Sequence, residues 1–196
     1  MINKYSNNNI RVVITGIGMV CPLGNNVNDS WYNIIQGLSG ADYITHFDAS
    51  TWTTKFACEV KNFNFTTQRV KPSYFNLLSR PLKFAISATD EAIQDASLTA
   101  DILRNCGVSM GVGIGDTSTK DIVSLLKDLN LKKGIKDLPR QLECANDLWF
   151  IIKNHPGFIS IMMRKIYQCF GPINTIYTAC TSSAHAITLA YDQIKR

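Results

Sequence analysis

Apolar positions along this chain switch repeatedly between a strand-like and a helix-like spacing. Residues 10–20 form a mainly apolar run, the pattern of a strand buried on both faces in a parallel sheet. Asn28-Asp29-Ser30 then offers helix caps, and Trp31, Ile34, Ile35 and Leu38 follow at i, i+3, i+4 and i+7. Gly37 and Gly40 mark the end of that helix. Residues 41–79 show no long periodicity and read as an irregular excursion with short elements, with His46 as a surface or packing residue. Pro81 suits the first turn of a second helix. Ala85, Ala88, Ala92 and Ala96 give that helix a stripe of small residues, which lets it lie close on a sheet.

Residues 107–113 predict a second strand. Residues 116–131 then read as helical, with Ile122, Leu125, Leu126 and Leu129 on one face, and Pro156 opens a short helix through Ile166. Gly171-Pro172 signals a turn. Residues 173–178, rich in β-branched and aromatic side chains, predict a third strand. From Thr181 small residues lead into a last helix carrying Ala184, Ala186, Ile187, Leu189, Ala190, Tyr191 and Ile194, apolar over much of its circumference. Strands alternating with helices, joined by long crossovers, predict an α/β fold with parallel pairing.

Composition narrows the class. The 196 residues are 45% hydrophobic and 18% charged, which suits one globular domain over residues 1–196. A net charge of +5 fits an acidic partner but is too diffuse to argue for nucleic acid. No apolar run approaches a membrane span. The first ten residues show no signal core and no Arg-rich amphipathic helix. Six cysteines, Cys21, Cys58, Cys106, Cys144, Cys169 and Cys180, none at metal-ligand spacing, read as reduced thiols of an intracellular protein without a structural metal. Gly16 and Gly18 invite comparison with a dinucleotide loop, but Cys21 replaces the third glycine and Pro22 follows at once. Tight turning after the strand accounts for them better. The glycines around Gly115 lack the Gly-Lys-Ser/Thr of a phosphate loop. Residues 132–165 hold seven basic and three acidic side chains, a solvated surface or a docking face for an acidic partner.

Chemistry gathers at the third strand's end. Cys180 falls at the strand-to-helix junction, in or just before the first helical turn. Helix-initial N–H groups lack internal partners and favour negative charge. A thiol there is expected to ionise more easily than a free one, and the same N–H groups can hold an oxyanion on a carbonyl that the sulfur attacks. Thr181, Ser182 and Ser183 leave the approach uncrowded. Two readings fit this pattern, a nucleophile and a buried structural cysteine capped by a helix. His185 is the tempting base, yet at about 100° per residue it lies roughly 140° around the axis from Cys180. It reads as a packing or hydrogen-bonded residue.

Thr178-Ala179-Cys180-Thr181-Ser182-Ser183-Ala184-His185 resembles the nucleophile motif of the β-ketoacyl-acyl-carrier-protein synthases. Arg11-Val12-Val13-Ile14-Thr15-Gly16-Ile17-Gly18-Met19-Val20-Cys21-Pro22-Leu23-Gly24 resembles that family's opening strand and turn, and Asp90-Glu91-Ala92-Ile93-Gln94-Asp95-Ala96 its next helix. The resemblance runs with gaps over nearly the whole chain and corresponds to the family's first half. It implies a thiolase-like fold, N-terminal half, with Cys180 as nucleophile of a decarboxylating Claisen condensation. It also implies acyl carrier protein bearing acyl and malonyl groups as partner, a homodimer in which residues 173–178 pair across the two-fold axis, and no metal or dissociable cofactor. The two catalytic histidines belong to the family's second half, so a catalytically incompetent fragment or a non-catalytic partner subunit is the alternative expectation. Leu78-Ser79-Arg80-Pro81 resembles the mitochondrial branch more than the bacterial one, which leans the expected compartment from cytoplasm towards mitochondrion. Lys153-Asn154-His155-Pro156-Gly157 departs from the family's usual run there.

Overall fold

The computed structural model describes residues 10–113, 152 and 155–196. The helix expected over residues 116–131 and most of the basic stretch 132–165 lie outside the described residues. Two compact units are present, one of Val13–Ala100 and one of Met1–Val12 with Asp101–Arg196.

In the first unit, helix α1 (Val27–Ile35) is capped by Asn26, whose side chain accepts the Asp29 N–H at 2.8 Å. The cap thus precedes the predicted Asn28-Asp29-Ser30, because Asn26 has the extended backbone a cap requires. Gly37, at φ +67, ends the helix. The Leu38 N–H bonds the Asn33 carbonyl and the Gly37 N–H that of Ile34, both at 3.0 Å. The expected apolar stripe of Trp31, Ile34, Ile35 and Leu38 is exposed, while Ser30 is buried. Residues 41–79 hold strands β1 (Ala41–Tyr43) and β2 (Phe56–Cys58), paired antiparallel, and a 3-10 helix, Pro72–Leu77.

Helix α2 (Arg80–Asp95) forms as its signals predict. Ser79 accepts the Leu82 N–H, Pro81 sits in the first turn, and Leu82 and Ile86 are fully buried. The strand expected over residues 10–20 does not form. A strand needs a ladder partner, and here side chains of α2 take backbone donors instead. The Ile17 N–H donates to Asp95 Oδ2 and the Met19 N–H to Glu91 Oε2, both at 2.9 Å. Val13, Ile14 and Ile17 are exposed. Gly16 and Gly18 serve close approach rather than turning. A Cβ on Gly18 would lie 1.7 Å from the Ala88 carbonyl oxygen, and one on Gly16 2.3 Å from that of Ala92. The alanine stripe therefore packs against this segment, not against a sheet. The turn itself is at Cys21 and Gly24, whose backbones bond reciprocally at 2.9 and 3.1 Å.

In the second unit, helix α3 (Ala100–Asn105) leads into strand β3 (Val108–Gly111), which pairs in parallel with β4 (Ile173–Ile176), Val108 opposite Ile173. Helix α4 (Gly157–Tyr167) precedes β4 and α5 (Ser182–Lys195) follows it. Alternate side chains of the strands meet opposite helices. Thr175 donates to Ser160 of α4 at 2.7 Å, whereas Ser109 donates to the Ala186 carbonyl of α5 at 2.8 Å. The result is an α-β-α layering, with Phe158, Met162, Met163, Ile166 and Tyr167 of α4 and Ala186 of α5 buried against the strands.

Replacing Gly18 by Ala is expected to destabilise the chain by at least about 2 kcal/mol, because the obstructing atom is rigid backbone. Gly113→Ala, where an added Cβ meets nothing within 4 Å among the described residues, should stay within about 0.5 kcal/mol. Urea unfolding of the two variants measures both.

Candidate functional site

The chain leaves β4, makes one 3-10 turn over Ala179–Thr181, and enters α5 directly. Cys180 is the middle residue of that turn, at the predicted strand-to-helix junction, and is exposed. Ala179 takes the left-handed region at φ 52, which costs a non-glycine residue roughly 1 kcal/mol and reverses the chain within one residue. The turn lifts Cys180 off the end of the strand.

Three hydroxyl side chains hold this shape. Ser182, buried at the start of α5, accepts the Thr178 N–H and donates to the Ala179 carbonyl, both at 2.8 Å. Thr181 reaches back to the Thr178 carbonyl at 2.8 Å and to Thr178 Oγ1 at 3.1 Å. Thr181 makes no side-chain cap to α5, and the Ser182 N–H bonds back to the Ala179 carbonyl as the 3-10 turn closes. Sequence reasoning took these residues only as small neighbours. Their spacing, hydroxyls at 178, 181 and 182, was the available signal. Gly111 of β3 makes room for the junction, since a Cβ there would lie 2.5 Å from the Ser183 nitrogen.

His185 is hydrogen-bonded and exposed. Its Nδ1 lies 3.0 Å from Thr178 Oγ1. His46 sits in the first unit beside Glu59 at 4.0 Å, and His155 accepts the Gly157 N–H at the start of α4. His155 is thus engaged at the start of α4. Among the described residues no cluster of His, Cys, Asp or Glu could hold a metal, and no helix is long and apolar enough to cross a membrane. The other cysteines differ in character. Cys169 is buried, and burial together with the nearby Cys106 pushes its thiol up, with Arg164 opposing. At Cys21 partial burial pushes the thiol up, but hydrogen bonds from Ser30 and the Leu23 and Gly24 backbones outweigh it and leave the group lowered.

This geometry has known counterparts. Residues 9–196 match the family model of the beta-ketoacyl synthase N-terminal domain. The chain belongs to the β-ketoacyl synthase family. The 3-oxoacyl-[acyl-carrier-protein] synthase 2 of Staphylococcus aureus (strain MRSA252) is 34% identical over 192 residues, covering 96% of this chain and 43% of the relative. A β-ketoacyl synthase from Burkholderia phymatum STM815 superposes with a TM-score of 0.70 at 19% identity, over 93% of this chain and 43% of that one. The ketosynthase of AntDE:AntF, a type II polyketide synthase acyl-carrier protein in complex with its ketosynthase bound to the hexaketide, gives 0.63 at 17% identity, over 93% and 47%. The chain therefore spans less than half the length of these relatives, and over that span it has the thiolase-like fold of the ketosynthases.

Ser182→Ala removes one side chain that serves two backbone groups, and is expected to cost about 1–3 kcal/mol in urea unfolding. Brief iodoacetamide treatment at mildly alkaline pH is expected to label Cys180 well ahead of Cys169, which is inaccessible and whose thiol burial pushes up. Peptide mass mapping reads the order, and equal labelling of the two would contradict the exposure of the turn.

Proposed function

We propose that Cys180 is the acyl-accepting nucleophile of a β-ketoacyl synthase of fatty acid biosynthesis. The observation that carries this reading is the exposed thiol raised on a left-handed turn at a helix N-terminus. Its sulfur attacks the thioester carbonyl of an acyl carrier protein. The carbonyl oxygen gains negative charge beside the helix-initial N–H groups, which stabilise it. The tetrahedral intermediate collapses, the bond to the carrier's sulfur breaks, and the carrier's thiol leaves with the proton that Cys180 gave up. Covalent transfer divides a hard step into easier ones.

In the second half-reaction malonyl carrier protein loses CO₂, and the resulting carbanion equivalent attacks the Cys180 thioester carbonyl, breaks its carbon–sulfur bond, frees the Cys180 thiolate and leaves an acyl chain two carbons longer on the carrier. Family resemblance assigns the oxygen-stabilising donors of that step to two histidines in the family's second half. The three histidines of this chain lie elsewhere, at 46, 155 and 185. The partner is an acyl carrier protein, a reading supported by the names of the relatives and by the AntDE:AntF complex. A homodimer is supported by the family resemblance, in which residues 173–178 pair across the two-fold axis.

Incubation of the 196-residue chain with acyl carrier protein thioester is expected to add one acyl group to Cys180, seen by peptide mass, and Cys180→Ala should abolish it. The same chain alone is expected to release CO₂ from malonyl carrier protein at least roughly 10⁴-fold below a complete synthase, because two oriented donors are not supplied by residues 1–196. Acylation that persists in Cys180→Ala would overturn the assignment.

A further inference from the structure

His185 and Thr178 take no part in the chemistry above, yet they form the outermost link of the turn. We propose that His185 is a positioning residue for acyl transfer, acting through the Thr178 hydroxyl to hold the Thr178–Ala179 turn that presents Cys180. The inference rests on Cys180 being the acyl acceptor.

The argument begins with strain. Ala179 at φ 52 is held against its own preference, and Thr178 before it, at φ −131 and ψ 40, lies outside regular strand geometry. Such a turn persists only where its surroundings over-determine it. Its backbone groups are already tied from the α5 side by Ser182 and Thr181. What remains is the Thr178 side chain, which could swing to another rotamer and give up its contact with Thr181 Oγ1. Nδ1 of His185 closes that freedom, with Thr178 Oγ1 at 3.0 Å on one side and at 3.1 Å from Thr181 Oγ1 on the other. The three groups can share hydrogens in one consistent chain. Thr181 O–H, which also faces the Thr178 carbonyl, donates to Thr178 Oγ1, and Thr178 O–H donates to His185 Nδ1, an arrangement that requires the imidazole proton on Nε2.

His185 sits on α5, five residues beyond Cys180 and pinned to the strands through the neighbouring Ala186, which is buried and whose carbonyl accepts from Ser109. The helix therefore supplies a fixed point from which the hydroxyl pair is aimed. Acyl transfer depends on that aim, because the oxyanion forms on one side of the attacked carbonyl and must meet N–H groups already in place. Displacement of iodide from iodoacetamide builds no oxyanion and depends on it far less. This difference separates positioning from a general loss of structure.

The test compares Cys180 acylation by acyl carrier protein thioester with iodoacetamide labelling in the full chain, for the unaltered protein, His185→Ala, His185→Asn, Thr178→Val and the double variant Thr178→Val/His185→Ala. His185→Ala and Thr178→Val are each expected to slow acylation about tenfold while labelling changes less than about twofold. The double variant should be no slower than either single one, since both changes break the same link. Asn places a hydrogen-bonding atom near the position of Nδ1, so His185→Asn should recover most of the rate. If the unaltered chain is acylated and His185→Ala is acylated equally fast, the positioning role is overturned while Cys180 stands. It is overturned too if the two single effects multiply, or if labelling falls in step with acylation. If the unaltered chain takes no acyl group at Cys180, the functional reading fails first and this inference with it.

Discussion

Everything at the Cys180 junction depends on how closely the start of α5 lies on β3. Side chains at Gly111 would have to occupy space filled by the Ser182 and Ser183 backbone, with contacts of 2.5–2.6 Å for a Cβ. With no side chain at 111, the helix can begin immediately after the strand beside it. Only one 3-10 turn then separates β4 from α5. A turn that short cannot reverse the chain with ordinary dihedral angles, so Ala179 is driven into the left-handed region. The exposed thiol is the consequence of a missing Cβ on the neighbouring strand.

The first unit solves a different problem by related means. Backbone N–H groups of residues 17, 19 and 27 have no ladder or helix partner and need acceptors. Two carboxylates one helical turn apart on α2 supply them. Glu91 accepts from Met19 at 2.9 Å and from Val27 at 2.8 Å, and Asp95 accepts from Ile17 at 2.9 Å. Charge-assisted bonds of this kind are stronger than neutral ones. They come within reach because Gly16 and Gly18 let the segment touch the alanine stripe. In both units, then, a glycine first permits backbone to approach backbone, and polar side chains then fix the contact.

These two cases also explain what could be read from the chain beforehand. Helix α2 was legible because its cap, its proline and its stripe are local signals, and Ser79, Pro81, Ala88 and Ala92 act where they stand. The position of Cys180 was legible for the same reason, as turn, strand and small-residue helix start follow each other within a few residues. The family resemblance added the thiolase-like fold. The strand over residues 10–20 was not legible. Apolar content states a propensity, whereas a strand is a relation to a partner backbone, and the groups that meet these N–H donors lie more than seventy residues away. The hydroxyl network was visible as residue types but not as bonds. For His185, helical geometry at a uniform angle led to a packing or hydrogen-bonded residue, and the structure shows a hydrogen bond. It did not point to Thr178, because the intervening 3-10 turn brings residue 178 back over the helix.

Helix α5 carries the consequences outward. Its buried line is small, Ser182 and Ala186, because a larger side chain would lift the helix from Gly111 and lengthen the turn. Its opposite line is large and apolar, with Ile187 68% exposed, Tyr191 42% and Ile194 59%. The small face serves the junction, and the large apolar side chains are gathered on the other face. One helix thus has two separate tasks, and the residues of each are spaced for it. Ser182, Ala186 and half-buried Leu189 and Ala190 follow the strands, while His185 sits at the boundary between the two lines, where its ring can reach Thr178 without entering either interface.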